Sequence, residues 1–172
     1  MSKRFEFVKA PQRSPEWFAL RKQAITATDI AIIAGLSPYK TPFRLWAEKT
    51  GRVEEQEVGA AADRGRWLEP AVAQYYEKER GVKLRQSNGI VRLKEHPWVV
   101  ASLDRTIVGE PEGIVEIKTS VSRQWDLHPV PPMVVAQVQW QMLVTGARWC
   151  DVVALLGGLT FRIERIEADP LY

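Results

Sequence analysis

Three charged side chains in the middle of the chain have the types and spacing needed for metal-dependent hydrolysis. Glu116 and Lys118 are two residues apart in the β-prone run IVEIKT, and residues two apart on a strand project from the same face. Asp104 ends the preceding predicted strand, with eleven residues between it and Glu116. Antiparallel pairing of the two strands would bring both carboxylates together, which predicts an acidic pocket beside one lysine.

Such a pocket suits a hard divalent cation. Mg²⁺ prefers oxygen ligands and keeps several waters, so the expected ligands are the carboxylates of Asp104 and Glu116 and the backbone carbonyl of Ile117, with Mn²⁺ as a possible substitute. A bound ion would polarise a phosphodiester and lower the pKa of a water that Lys118 orients or activates. The same residues also fit an ordinary cross-strand charge pair with Asp104 in a turn, and spacing alone leaves both interpretations open.

Four helices are predicted ahead of these strands. A serine, a proline and an acidic residue at 14–16 are typical of a helix start, and threonines followed by apolar residues indicate two more. The fourth has apolar residues at helical spacing but contains Gly65 and Pro70, so we expect it to be bent or to begin near Arg66. The predicted helices cover 15–23, a segment from Thr26 or Thr28 to Gly35, a segment from Thr41 to Gly51, and 60–80.

The apolar pattern then changes to the period of strands. Predicted strands lie at 82–86, 90–94, 99–104 and 114–119, and turn-forming residues at 88–89, 96–97 and 110–113 separate them. A loop at 120–132 leads to a helix at about 133–145, and two further strands, 149–156 and 159–166, form a hairpin across Gly157-Gly158. This order predicts an α/β (α+β) fold with a central mixed β-sheet flanked by helices.

Length and composition favour one folded domain over residues 1–172, with a basic helical part at 1–52 and a metal-site core at 60–166. Apolar residues make up 45% of the chain, yet no apolar run reaches the roughly 20 residues that span a bilayer, so we expect no membrane contact. The start lacks the apolar region of a secretory signal, and the single Cys150 fits a reducing compartment. We therefore expect a cytoplasmic protein.

The charge is unevenly distributed along the chain. Residues 1–52 contain ten basic and four acidic side chains, whereas residues 53–172 contain fourteen basic and seventeen acidic ones. A basic surface beside a cation-binding site is what a protein that binds a polyanion would need. Nucleic acid is thus a candidate partner, although a polarity of this size also arises by chance.

Several motifs in this chain resemble those of a known nuclease superfamily. The segments ASLD and VEIKT resemble the D-x(n)-E-x-K core of PD-(D/E)xK nucleases, which have a restriction-endonuclease-like core. The segments at 14–51, GRWLEP at 65–70 and AQVQWQMLVTG at 136–146 resemble the YqaJ-type viral recombinase family, which is similar to the phage lambda exonuclease. The resemblance covers about 150 of the 172 residues, with the motifs in the family's order.

The resemblance adds two features to the candidate site. It implies that Glu69, which alone would be read as an acid near a helix amino terminus, joins the metal site from its helix. It also implies a catalytic glutamine on the helix at 136–146. Helical spacing puts Gln137 and Gln141 on one face and Gln139 on another, while the match to the family favours Gln139.

The family's site for the 5′-phosphate of a DNA end corresponds to Arg21 and Thr28 in this chain. A guanidinium binds phosphate bidentately, and a hydroxyl at a helix amino terminus adds a donor beside the backbone amides. Without the resemblance, Thr28 is equally an N-cap and Arg21 a surface residue. If the resemblance holds, the basic third of the chain binds the DNA end.

The function that the resemblance implies is a Mg²⁺-dependent 5′ to 3′ exonuclease acting on double-stranded DNA ends in a bacterial cell or phage-infected host. It would yield 3′ single strands for a phage-type annealing protein. Lambda exonuclease-like enzymes form a trimeric ring, but this sequence stops where family members continue into another helix, which puts a homotrimer in doubt. A superfamily nuclease that cuts internally or prefers single strands, and a non-catalytic DNA-end-binding module, are the alternatives.

Overall fold

Capped helices follow the first strand of the protein. The computed structural model describes residues 4–55 and 59–172, with the backbone alone at position 62. After strand β1 (Phe5–Lys9) come helices α1 (Pro15–Lys22), α2 (Ala27–Ile33) and α3 (Pro42–Lys49). The hydroxyls of Ser14, Thr26 and Thr41 accept hydrogen bonds from backbone amides of these helices. The three predicted helix starts are confirmed, and Thr26 rather than Thr28 is the N-cap of α2.

Helix α4 (Ala60–Arg80) is continuous through both of its predicted interruptions. Gly65 has a packing role, because a Cβ at this position would lie 3.2 Å from Oγ1 of Thr119. The small residue lets the helix approach the strand that carries the predicted acid and lysine. The helix ends at Gly81, whose φ of 65° is the left-handed conformation of a helix C-cap. The expectation that the helix begins near Arg66 is wrong.

The strands form two sheets. β1 pairs antiparallel with β3 (Gly89–Leu93), which pairs with β4 (Val100–Ala101). The larger sheet has the order β2-β5-β6-β7-β8, formed by Leu84–Gln86, Arg105–Ile107, Glu110–Ser120, Trp149–Leu156 and Thr160–Glu167. Its β6 and β7 are parallel and its other pairs antiparallel. The predicted mixed sheet flanked by helices is confirmed, whereas β1 and β5 were not predicted.

The turn between β5 and β6 differs from the predicted one. The ladder of the two strands extends to the pair Ile107 and Glu110, so the chain reverses at Val108 and Gly109. Gly109 has a φ of 84°, a conformation that glycine adopts without strain. The predicted turn at 110–113 is therefore wrong, and these residues instead extend β6.

The two faces of the larger sheet are covered by different helices. One face of β6 and β7 packs against the α4 residues Val72, Ala73 and Tyr76. The other face packs against α6 (Pro132–Thr145), which follows a short helix α5 (Gln124–Leu127) inside the predicted loop. Helix α6 also contacts α2 and the smaller sheet. No helix in the described part of the chain combines the length and apolar character needed to cross a membrane.

A buried carboxylate on the larger sheet fixes α4 through a hydrogen bond. The Asp151 side chain on β7 is inaccessible to solvent and accepts hydrogen bonds from the Tyr76 hydroxyl at 2.8 Å and from Arg165 Nε at 2.7 Å. Burial and the neighbouring Asp151 carboxylate raise the pKa of Tyr76 well above its usual range. Because an unpaired buried carboxylate is costly, these contacts hold the helix that carries Glu69 against the sheet.

Candidate active site

One cavity of about 600 Å³ collects nearly all the residues singled out from the sequence. Residues from α1, α2, α4 and the β5–β6 hairpin line its walls. Gln139 is the one predicted site residue that does not line it. The cavity lining includes Arg21, Thr28, Glu69, Asp104, Glu116, Ile117 and Lys118.

The Asp104 carboxylate is bound to the strand that carries the other two charged residues. β4 ends at Ala101, so Asp104 does not end a strand as predicted but immediately precedes β5. Its Oδ2 accepts a hydrogen bond of 2.9 Å from the backbone amide of Ile117, between Glu116 and Lys118. Burial, together with repulsion from Glu116, raises the pKa of Asp104 to about 8. The predicted convergence of the two carboxylates is thus present.

Glu116 and Lys118 point toward α6 and form a charged pair. Lys118 Nζ donates to Glu116 Oε1 at 2.6 Å, and Glu116 is 3% exposed. Burial disfavours the ammonium, but attraction by Glu116 and Asp104 outweighs it, so the pKa of Lys118 is raised. In the metal-free protein the lysine is therefore a charged donor at neutral pH, suited to orienting a water or a phosphate oxygen.

Glu69 extends from α4 into the same cavity, where an arginine holds it. Nη1 of Arg105 donates to Glu69 Oε1 at 2.5 Å and to the backbone carbonyl of Asp104 at 2.8 Å. Sequence reasoning missed Arg105, although it directly follows the motif aspartate. In the ranges 4–55 and 59–172, no group of three His, Cys, Asp or Glu side chains is already arranged to hold a metal ion. The contact with Arg105 involves Oε1 of Glu69, and this side chain lines the same cavity as Asp104 and Glu116.

The glutamines of α6 divide between two faces, and the assignment of Gln139 to the site needs correction. Gln137 and Gln141 donate to the two oxygens of Glu116, and Gln137 Oε1 accepts from Lys118 at 2.9 Å. Gln139 instead donates to the carbonyl of Glu167 at 2.8 Å and accepts from the amide of residue 169. Helical spacing therefore predicted the grouping correctly. Gln137 is the glutamine that lines the cavity.

Arg21 and Thr28 line the same cavity from α1 and α2. Arg21, in the last turn of α1, stacks with its guanidinium carbon 4.3 Å from the ring centre of Trp17 and donates weakly to Ser102 at 3.4 Å. Thr28 is exposed in the first turn of α2. Both also line a second cavity of about 330 Å³ that shares Arg13 and Trp17 with the first. The two cavities therefore adjoin.

A lysine that sequence reasoning missed fixes the spacing of this pair. Nζ of Lys49, at the end of α3, donates to the carbonyls of Arg21 and Ala24 at 2.9 and 2.7 Å. It also pairs with Asp29 at 2.8 Å, and the same carboxylate accepts from the amide and hydroxyl of Thr26. These contacts join the end of α1 to the start of α2. No local pattern indicates them, because Lys49 is 20 or more residues from its partners.

The fold is that of the alkaline exonucleases, which belong to the PD-(D/E)xK type. The alkaline exonuclease LHK-Exo from Laribacter hongkongensis matches with a TM-score of 0.75 and 28% identity, covering 92% of this chain and 84% of that chain. Its complex with dAMP matches with a TM-score of 0.77 and 27% identity over the same shares. A phage related exonuclease from Haemophilus somnus 129PT shares the fold alone, with a TM-score of 0.65 and 11% identity.

The chain belongs to the YqaJ-like viral recombinase domain family, whose sequence model matches residues 16–148. It is 37% identical over 160 residues to the uncharacterized protein YqaJ of Bacillus subtilis strain 168, covering 90% of this chain and 50% of that protein. It is 27% identical over 158 residues to the uncharacterized protein R354 of Acanthamoeba polyphaga mimivirus, covering 81% and 28%. The chain thus spans half or less of these relatives, and the expected family resemblance is confirmed.

Proposed function

We propose that the protein is a metal-dependent exonuclease that hydrolyses phosphodiester bonds at double-stranded DNA ends from 5′ to 3′. The observation that carries the proposal is a single cavity lined by two sets of side chains. One set is the cluster of Asp104, Glu116 and Lys118, and the other is Arg21 with Thr28. The first set suits hydrolysis of a phosphodiester and the second suits a terminal phosphate. Membership of the YqaJ-like family and the match to an alkaline exonuclease support the same activity.

Mg²⁺, with Mn²⁺ as a substitute, fits the donors of the acidic cluster. Asp104 and Glu116 are hard oxygen donors, and their mutual repulsion in a buried position raises the pKa of Asp104; a divalent cation would relieve that repulsion. Asp104, Glu116 and the Ile117 carbonyl would hold the ion, joined by Glu69 from α4. When bound, Mg²⁺ would polarise the scissile phosphate and lower the pKa of a water.

The remaining side chains of the cluster orient the reacting groups. The Lys118 ammonium donates a hydrogen bond to the attacking water or to a phosphate oxygen, and so stabilises charge that develops during hydrolysis. Gln137 accepts from Lys118 and donates to Glu116, which keeps both groups in one orientation. Arg21 and Thr28 hold the 5′-phosphate, so that cleavage begins at an end.

The products would be 3′ single strands, the substrate of a phage-type single-strand annealing protein. A homotrimeric ring around the duplex would suit repeated cleavage, because a tethered end stays at high effective concentration. Both the annealing partner and the ring belong to the proposal. Sedimentation of the protein with and without duplex DNA tests the ring.

The most informative experiment compares linear duplexes with and without a 5′-phosphate, in Mg²⁺ or in EDTA. We expect degradation that needs both Mg²⁺ and the 5′-phosphate, and no cutting of circular DNA. A ladder of internal cuts on the circle would favour an endonuclease instead. Binding of the ends without degradation in Mg²⁺ or Mn²⁺ would favour a non-catalytic end-binding module.

Arg21→Ala is expected to remove most of the preference for phosphorylated ends. Loss of a charge-assisted contact to phosphate should raise KM for a 5′-phosphorylated duplex by about 10- to 100-fold, with little change for a 5′-hydroxyl duplex. Steady-state kinetics on both substrates measures this. Lys78→Ala, at the exposed far end of α4, is the charge-matched control. Equal losses on both substrates would remove Arg21 from phosphate recognition.

Gln137→Ala and Gln139→Ala are expected to have different effects. Loss of Gln137 frees Lys118 and Glu116 to reorient, so kcat should fall about tenfold, with the melting temperature nearly unchanged. Loss of Gln139 removes contacts to the end of β8 and to the segment that follows it, and should lower the melting temperature while kcat stays within about twofold. Kinetics and thermal unfolding of both variants test the corrected assignment, and the reverse pattern would restore Gln139.

A further inference from the structure

Arg13 has a strained backbone at the edge of the candidate active site. Within residues 4–55 and 59–172, it is the sole non-glycine residue with a positive φ, 69°. Glycine adopts this conformation without steric cost, whereas other residues rarely do. Strained residues of this kind concentrate at ligand-binding sites, where the side chain is needed at that position. The chain therefore keeps an arginine where glycine would fit the backbone better.

The Arg13 side chain is positioned to meet a ligand. It lines both cavities, as Trp17, Arg21 and Thr28 also do, and so belongs to the region where the two cavities adjoin. The side chain is exposed, and its guanidinium makes no hydrogen bond or ion pair with any residue that the structure describes. Five N–H donors on this group are thus available.

A second arginine faces the same cavity from α4. Arg66 lines the cavity of the acidic cluster. Burial is the largest cause that lowers the pKa of Arg13, the nearby charge of Arg66 lowers it further, and attraction by Glu69 raises it. Arg66 forms an ion pair with Asp63 on the same helix, so a phosphate that binds both arginines would compete with this carboxylate for Arg66. Arg13 is close enough to Arg66 and Glu69 for both charges to act on it, within the cavity of the acidic cluster.

We propose that Arg13 and Arg66 form a second phosphate subsite, in the cavity that the Arg21 and Thr28 site shares with the acidic cluster. Its ligand is a backbone phosphate of the DNA strand whose 5′ end Arg21 and Thr28 hold. The inference rests on the proposed function and extends it, because the strand would be bound at two phosphates: the terminal one at the Arg21 and Thr28 site and an internal one at Arg13. Two contacts fix the direction of the strand as well as its end.

Arg13→Gly tests the subsite, because glycine suits the backbone while removing the guanidinium. Binding of a short 5′-phosphorylated duplex is measured in Ca²⁺ across a range of salt concentrations. We expect Kd to rise about tenfold and the slope of log Kd against log salt to fall by about 0.9. The melting temperature should stay the same or rise by up to about 4 °C. Arg66→Gln should weaken binding in the same direction.

Arg80→Ala is the matched control. This exposed arginine ends α4, about 21 Å along the helix axis from Arg66, and its loss should leave Kd and the salt slope unchanged. If Arg13→Gly binds DNA as the wild type does, or changes Kd only as much as Arg80→Ala does, the subsite is overturned.

A second measurement identifies the phosphate itself. Neutral methylphosphonates replace the phosphates of the 5′ strand one at a time, and each duplex is tested with the wild type and with Arg13→Gly. At the phosphate that Arg13 contacts, the methylphosphonate should weaken DNA binding by the wild type but should weaken binding by Arg13→Gly little further. The effects of the methylphosphonate and of the substitution are then not additive. Additive losses at every position would overturn the subsite. Failure of the wild type to bind or cleave phosphorylated ends would instead overturn the proposed function.

Discussion

Lys118→Ala is expected to lower kcat for cleavage of phosphorylated duplex ends by about 10³-fold, while the Kd for the same duplex in Ca²⁺ changes less than threefold. Removal of a positioned charged donor from a hydrolytic site costs this much because its stabilisation develops in the transition state. Single-turnover kinetics and equilibrium binding measure the two quantities separately. The buried Glu116 would lose its ion pair, so thermal unfolding must accompany the kinetics.

Two further variants make the Lys118 result interpretable. Lys118→Arg keeps the charge, and we expect it to fold as the wild type does but to remain at least about tenfold slower, because a guanidinium differs in shape from an ammonium. Lys83→Ala, at an exposed position before β2, should be fully active. Wild-type activity in Lys118→Ala would sink the catalytic assignment of this residue.

Asp104→Asn is expected to lower activity by at least about 10³-fold and yet to stabilise the metal-free protein above pH 8. The amide oxygen can still accept the hydrogen bond from Ile117, and the repulsion between Asp104 and Glu116 disappears. Calorimetric titration should show that Mn²⁺ binds to the wild type. Its binding to Asp104→Asn should be absent or at least about tenfold weaker. Unchanged Mn²⁺ affinity in Asp104→Asn would remove this residue from the ligands.

The pH dependence of stability provides an independent check on Asp104. Its pKa rises from the usual 3.8 to about 8 on folding, so the metal-free folded protein binds the proton more tightly than the unfolded chain. The stability associated with this group is complete below about pH 4 and is lost as the pH rises through about 8. In EDTA, the melting temperature of the wild type should fall relative to Asp104→Asn across this range. Parallel curves would contradict the buried, mutually repelling carboxylates.

Local features of the sequence predicted the helices and the central strand well. Ser14, Thr26 and Thr41 are N-caps because a short polar side chain can bond to the amides of its own helix. Glu116 and Lys118 share a face because a strand alternates. Such rules act over two to four residues, so they require no knowledge of the rest of the fold.

The features that sequence reasoning missed depend on distant contacts. β1 becomes a strand by pairing Phe5 with Leu93, and Lys49 acquires its role from carbonyls at the end of α1. Arg105 is recognisable as a partner of Glu69 only after α4 has packed on the sheet. The assignment of Gln139 failed for a different reason. Helical spacing alone correctly separates it from Gln137 and Gln141, but the match to the family was given more weight than this spacing.

The β5–β6 hairpin has a consequence for how this protein could change over evolution. Glu116 and Lys118 lie on its second strand, and Asp104, directly before its first strand, is joined to them by the bond from the Ile117 amide. Arg13, Arg21 and Thr28 come instead from the amino-terminal segment and α1–α2. Mutations in those helices could therefore alter which DNA ends are selected while the hydrolytic residues are inherited intact. A one-residue slip in the hairpin would instead turn Glu116 and Lys118 to the opposite face, and would remove the chemistry for every substrate at once.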